Sequence, residues 1–312
     1  MIRKQQHFVP HCYLKNFANP QEQIFVMDKD TQKYFQTNIK NIASHTYFND
    51  FPVEFLHKEY KEKEKSQAIE RELSKYETKF SDFLNEIITR LENIERYGYS
   101  NEVIDQEIKS HFSFFLALQL VRTMNQRQKI QNTFQDISDL KSKLDESSTK
   151  KQEYLDFSIP EPVNPSQSID FNDLIRVSVE KDANAQHLFL IVDILDKGLN
   201  SNITKIFANH IWFFGINSTS IPLLTSDTPI VIKPHQNYGF DIDSYGVQVA
   251  YPITPKYLLV MHENNCWSDL KSFERRNVTM TENCVISHNK LQISQCHRQI
   301  YSSEKTFGSL IK

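Results

Sequence analysis

Glycine is scarce, with 6 residues in 312. Nucleotide sites of the Rossmann and P-loop kinds need glycine where the backbone approaches phosphate, and neither G-x-G-x-x-G nor G-x-x-x-x-G-K-[ST] occurs. No nucleotide cofactor is expected, and nothing points to haem. Cysteine is sparse too: Cys12, Cys266, Cys284 and Cys296 form no C-x-x-C pair. That argues against zinc and fits a reducing compartment. Long hydrophobic runs are missing. HLFLIVDIL and HIWFFGI fall well short of the ~20 residues a membrane helix needs, and MIRKQQHFVPHCYLKNF has no signal-peptide core. A cytoplasmic chain without a membrane span is the expectation. An excess of basic charge is also lacking: 36 Lys and Arg against 39 Asp and Glu give −3. A globally basic nucleic-acid coat is thereby excluded, and a local groove is the remaining route to DNA or RNA. The nucleophile elbow G-x-S-x-G, the zinc motif H-E-x-x-H and the kinase motifs are absent.

Aromatic residues are well supplied at 12%, and 39% of the chain is hydrophobic. A chain of this length buries about three quarters of its unfolded surface, enough to fold without disulfide or metal. IFVMD (24–28) and KYFQT (33–37) read as strands around a DKDT turn. Residues 56–97 read as a charged helix with one buried face, on which Ile69, Leu73, Tyr76, Phe80, Phe83, Leu84 and Ile87 recur every three or four residues. Gly98 ends it, and Asn101 is a candidate cap for a second helix from about 102 to 130. The centre of that helix, HFSFFLALQLVRTMNQR, is apolar nearly all round. Residues 145–169 are the candidate linker or mobile loop between a helical part (56–144) and a strand-rich part (170–312) of a single 1–312 domain. A third helical region covers about 171–206, broken near Gly198. HIWFFGIN, IPLLTSD, PIVIKP, VQVAYPIT and KYLLVMHE then read as strands, a helix follows at 267–286, and HRQIYSS is the last strand. The prolines of AYPITP mark an edge strand or bulge. The fold class is α+β: long central helices on a mixed, mostly antiparallel sheet formed by N- and C-terminal strands.

Four clusters carry polar chemistry. In HFVPHCYLKNF, Pro10 holds Val9 extended, and His7 and His11 flank the turn and can face one space. The proline spoils the regular helix that a metal-binding His pair would need, and ordinary structural histidines are the plainer reading. Glu70 and Glu77, seven apart, share one helix face, although a solvated charged face accounts for them as well. Gln119 and Arg122 lie three apart in apolar surroundings. A buried Arg needs an answering carboxylate or phosphate, which Glu77, Asp227 or an anionic ligand would supply. In LLTSDTPIVIKP, Asp227 ends a strand as a metal ligand, a general base or a plain turn cap. Asn289 and His297 are further polar candidates with no spacing argument behind them.

Taken in order, these clusters resemble the bacterial domain-of-unknown-function family 4238 over essentially the whole chain. The family opening H-[YF]-V-P-x-x-Y-L-x-x-F is matched by His7, Phe8, Val9, Pro10, Tyr13, Leu14 and Phe17. The paired glutamates are matched by Glu70 and Glu77, Q-x-x-R-T by Gln119, Arg122 and Thr123, and T-S-D-[NT]-P by Thr225 to Pro229. The family's asparagine before the final strand looks like Asn289. Position 11 departs from the pattern, since many members carry Gln there, and a metal role for His11 is not implied. Members resemble cargo of mobile elements and phage-defence loci, which implies an anti-phage effector or effector partner.

The resemblance also implies one pocket. A metal-dependent nuclease or phosphodiesterase would use His7, Glu77 and Asp227 as catalytic groups, with Glu70, Glu77 and Asp227 holding Mg²⁺ or Mn²⁺. Gln119, Arg122, Ser226 and Asn289 would bind substrate. The alternative is a non-catalytic ligand- or partner-binding module, a sensor or scaffold subunit of a defence complex. Nucleic acid and a partner protein of the defence system are the expected partners.

Overall fold

The computed structural model describes residues 3–51, 67–98, 102–147, 183–235, 239–305 and 307. The front of the charged helical stretch (56–66), Asn101, and 148–169 of the candidate linker lie outside these residues. Strand β1 (Gln5–His7) is followed after two residues by Pro10, whose ring holds φ at −58° and which, with an extended ψ of 138°, takes the N-cap position of the next helix. Helix α1 (His11–Leu14) begins on the next residue, and the Pro10 carbonyl accepts from the amides of Tyr13 and Leu14. Strands β2 (Gln23–Asp28) and β3 (Lys33–Asn38) form the expected hairpin, and β4 (Ser44–Thr46) returns to pair with β1.

Helix α2 (Ala68–Tyr97) buries Ile69, Leu73, Phe80, Leu84, Ile87 and Leu91 along one stripe. It stops at Gly98, whose φ of 69° is the left-handed conformation that ends a helix at least cost. Helix α3 (Gln106–Val121) is capped by Asp105, which accepts from the Ile108 amide. It does not run on to 130. Arg122 and Thr123 leave the helix, and α4 (Met124–Ser147) restarts after them. Two distant bonds and one local bond explain the break: Arg122 is drawn to Glu77 and to the His7 carbonyl, and Thr123 Oγ1 accepts from the Gln126 amide as a new cap. Helices α5 (Ala183–Lys197) and α6 (Asn202–Asn209) are separated at Gly198, and Ser201 caps the second.

Strands β5 (Ile211–Asn217), β6 (Thr225–Ser226), β7 (Val231–Lys233), β8 (Gln248–Pro252) and β9 (Tyr257–His262) follow the predicted apolar runs. The helix expected over 267–286 is instead a 3₁₀ turn at 268–273, strand β10 (Arg276–Met280), and then helix α7 (Glu282–Gln295). Arg275, at a φ of 62°, stops the turn from propagating. Val278 and Thr279 are β-branched and suit the strand that lies along β5. Thr281 caps α7 by accepting from the Cys284 amide. Strand β11 (Gln299–Ser302) closes the order.

The N- and C-terminal strands share a sheet in the order β3-β2-β11-β6, as the α+β reading required. The expectation of one sheet is corrected, because a second sheet, β10-β5-β9-β8-β7, is made of C-terminal strands alone. Its pairs are antiparallel except β10 with β5. Strand β8 is interior rather than an edge: Pro252 only closes it, and Ile253 and Thr254 turn back onto the Tyr257 carbonyl. One face of this sheet, with Trp212, Phe214, Tyr251 and Leu259, joins the helical core that includes Phe80, Phe112 and Ile191. The other, with Ile211, Phe213, Leu258 and Val260, packs with Val285 of α7. Double coverage accounts for β5, in which all seven residues are buried. At Gly215 a Cβ would lie 2.8 Å from Met280 Sδ, so the Met280 side chain packs over the space that glycine leaves free. Among the described residues no helix is long and apolar enough to cross a membrane.

Candidate functional site

The four polar clusters assemble into two places rather than one. The first lies where β1 and α1 meet α2 and α3. Arg122, 3% exposed, sits at the C-terminal end of α3 and points back to the chain start. Its Nη2 donates to Glu77 Oε1 at 2.8 Å and to the His7 carbonyl at 2.5 Å. Gln119, one turn earlier, donates from Nε2 to the Phe8 carbonyl at 3.2 Å. Arg122 and Gln119 thus bind two successive backbone carbonyls, those of His7 and Phe8, while the Phe8 amide donates to the Ala43 carbonyl. His7 and His11 do face one space, their rings 6.2 Å apart and nearly perpendicular.

This cluster is not fully satisfied. His7 Nε2, His11 Nε2, Gln119 Oε1 and Arg122 Nε are all buried and have no hydrogen-bond partner among the described residues. Gln119 and Arg122 line a cavity of about 10 Å³, room for roughly one water. Burial pushes the pKa of His7 below its ordinary value. The Glu77 carboxylate draws it back up, while His11 and Arg122 push it further down. His11 is lowered by burial as well, with Glu22 acting against it. Both imidazoles are therefore neutral at pH 7. Burial and the neighbouring Glu77 raise the Cys12 thiol to about 12, so it is not a thiolate nucleophile. Glu70 belongs to the edge of this region: its Oε2 accepts from Asn49 Nδ2 at 2.9 Å, and burial raises its carboxyl.

The second place is the junction of β6, β11 and α7. Asp227, 3% exposed, accepts three successive backbone amides, His297 at 2.8 Å, Arg298 at 2.7 Å and Gln299 at 2.8 Å. Burial pushes its carboxyl above the ordinary range, and the three amides pull it back. His297 takes part through its backbone. Ser226 Oγ donates to Gln292 Oε1 at 2.7 Å. Asn289 accepts from the Leu224 amide and donates to the Pro222 carbonyl. Sequence reasoning missed Gln292 and Gln295. Gln292 Nε2 donates to the Pro229 carbonyl, and Gln295 both accepts from the Ile232 amide and donates to its carbonyl. The signal was present as amides three apart in NKLQISQ, a spacing that sets one helix face. That face stands in for a neighbouring strand along residues 222–232.

The two places are tied by Tyr13, whose hydroxyl lies 2.7 Å from both Thr225 Oγ1 and the Pro252 carbonyl. The acidic residues expected to hold a metal are not brought into one shell. Glu77 is paired with Arg122, Glu70 with Asn49, and Asp227 with three amides at the other place. Among the described residues no group of three or more His, Cys, Asp or Glu is arranged to hold a metal ion. The donor set does not fit Mg²⁺ or Mn²⁺, which take several free oxygens at about 2.0–2.6 Å.

A family model described as "Protein of unknown function (DUF4238)" matches residues 5–306, and the chain belongs to that family. No curated protein and no solved structure matches it.

Proposed function

For this member of the DUF4238 family, we propose the role of a recognition subunit in a cytoplasmic anti-phage defence complex, in which the shared polar residues build the fold rather than cut a substrate. One observation carries this reading: most of the candidate side chains are spent on the protein's own backbone, and Glu77 and Glu70 on the side chains of Arg122 and Asn49. Arg122 and Gln119 hold the carbonyls of His7 and Phe8, Asp227 holds three amides, and Asn289 holds Leu224 and Pro222. Polar networks of this kind fix a unique core without turnover. The cavity beside Arg122, at about 10 Å³, admits a water and not a nucleotide.

A second reading is favoured by a different observation. Burial favours the neutral form of His7, its Nε2 has no hydrogen bond among the described residues, and Glu77 is its strongest charged neighbour. A neutral imidazole of this kind serves as a general base, and Arg122 Nε would face the phosphoryl oxygen of a phosphodiester. The chemistry would be metal-independent hydrolysis of nucleic acid, and substrate would have to uncover His7 Nε2 first.

Incubation of wild type and His7→Gln with single- and double-stranded DNA and RNA, each with Mg²⁺, Mn²⁺ or chelator, separates the two. The subunit reading expects no cleavage under any condition. Cleavage that survives chelator and is lost in His7→Gln installs the second reading. Cleavage that requires a metal overturns both.

A further inference from the structure

Strand β10 is the outer strand of the five-stranded sheet, and Arg276, Asn277, Val278 and Thr279 all line a groove of about 710 Å³. One wall is the end of α2, with Ile94 and Glu95, and the other is the 3₁₀ turn carrying Phe273. Among the described residues, the backbone of Asn277–Thr279 bonds to β5 and to nothing else. Alternate residues of the strand therefore direct their amide and carbonyl groups away from β5, without a partner among the described residues. Proteins usually blunt such an edge with charge, proline or a covering element. Here Val278 is 44% and Phe273 53% exposed.

Charge in the groove is one-sided. Glu95 is already bound to Lys256 Nζ at 2.7 Å and to the Tyr257 hydroxyl. Arg276 rests on the Phe273 ring at 5.9 Å and has no carboxylate partner among the described residues. The groove thus offers an open backbone ladder, an apolar side-chain slot and one uncommitted cation. None of the candidate residues of the two polar regions lines it.

We infer that β10 is a docking edge for an extended segment of a partner protein, resting on the subunit reading above. The segment adds as a sixth strand, sets an acidic side chain against Arg276, and places an apolar one between Phe273 and Val278. Main-chain hydrogen bonds give such additions their affinity, and alternate side chains give their specificity. A single segment fits better than a second copy of this chain. The edge is recessed between two walls, and two equally recessed edges cannot meet face to face.

The test is amide NMR of the full chain with two pooled peptide libraries. Each peptide has about nine residues of alternating β-branched and polar side chains, as a strand-forming ligand requires. One pool carries a single Asp or Glu, and the other carries Lys at the same place. Acidic peptides are expected to shift the resonances of Phe273 and Arg276–Met280, and N-methylation of alternate peptide amides is expected to abolish the shifts. Arg276→Glu should weaken the acidic pool by about tenfold and turn the preference toward the Lys pool, as a contact governed by charge complementarity would. The inference is overturned if neither pool moves these resonances, or if the shifts survive N-methylation. A concentration-dependent dimer in light scattering that Arg276→Glu disrupts would assign the edge to a second copy and also overturn it. Peptide binding alongside nucleic-acid cleavage would leave the docking edge standing while the subunit reading fails.

Discussion

Around Asp227 the buried side chains of the junction reach partners: both carboxylate oxygens accept amides, and Ser226, Asn289, Gln292 and Gln295 each bind across to another segment. Around Arg122, which is just as buried, four polar atoms have no hydrogen bond among the described residues. The two regions draw on the same kinds of residue, both belong to the family pattern, and Tyr13 links them. What differs is geometry. At the junction a helix face of amides runs alongside an extended segment, so donors and acceptors repeat in step. At the first region a proline turn meets two helices end-on, and the polar atoms converge on a small void instead. A saturated network contributes to the fold, whereas an unsaturated one costs stability unless water or a ligand completes it.

The comparison breaks most sharply if the junction turns out dispensable. Asp227→Ala leaves three backbone amides without their acceptor, and the expected loss is about 2–3 kcal/mol in urea unfolding. Asp227→Asn should recover only part of it, because the new NH₂ group would face a donor. A loss under about 1 kcal/mol would mean that water replaces the carboxylate and that the junction is not the anchor described.

Arg122→Met should cost less, about 2 kcal/mol. It removes the bond to the His7 carbonyl, but the stranded Glu77 side chain is 30% exposed and can turn to water. Thermal unfolding beside Asp227→Ala gives the ranking, and an equal or larger loss for Arg122→Met would reverse the comparison.

The smallest effect concerns proton binding. His7 has a folded-state pKa below 6.5, so its neutral form contributes stability fully above that pH, and the contribution is lost as pH falls toward the folded value. Glu77 raises that value. Glu77→Gln should therefore lower the His7 titration midpoint seen by imidazole NMR and make the acid-side loss of stability steeper. An unchanged midpoint would separate Glu77 from His7 electrostatically.

Much of this was legible in the chain. The hairpin at 24–37, the stripe on α2, the break at Gly198 and the apolar runs of β5 to β9 follow from periodicity and punctuation. The need of Arg122 for a partner was legible too, since a buried guanidinium has few options, and Glu77 is the one it takes. The strand at 276–280 was hidden because RNVTM is short and follows a turn with helix-like local sequence. Its strand character comes from lying on β5. The break at 122–123 was hidden for a similar reason: helix propensity runs through it, and distant contacts override it.

By itself, then, the sequence determined which residues are apolar, where the chain must turn, and which polar groups would need partners once buried. These depend on local sterics and on the cost of desolvation, both carried by residue type and spacing. Only the tertiary structure decided which partner each polar group found. Asp227 met three amides, because the start of β11 lies within hydrogen-bonding reach of it. His7 and His11 met each other, because Pro10 folds the chain between them. Pairings between segments far apart in sequence depend on how the segments pack, and no local pattern records that.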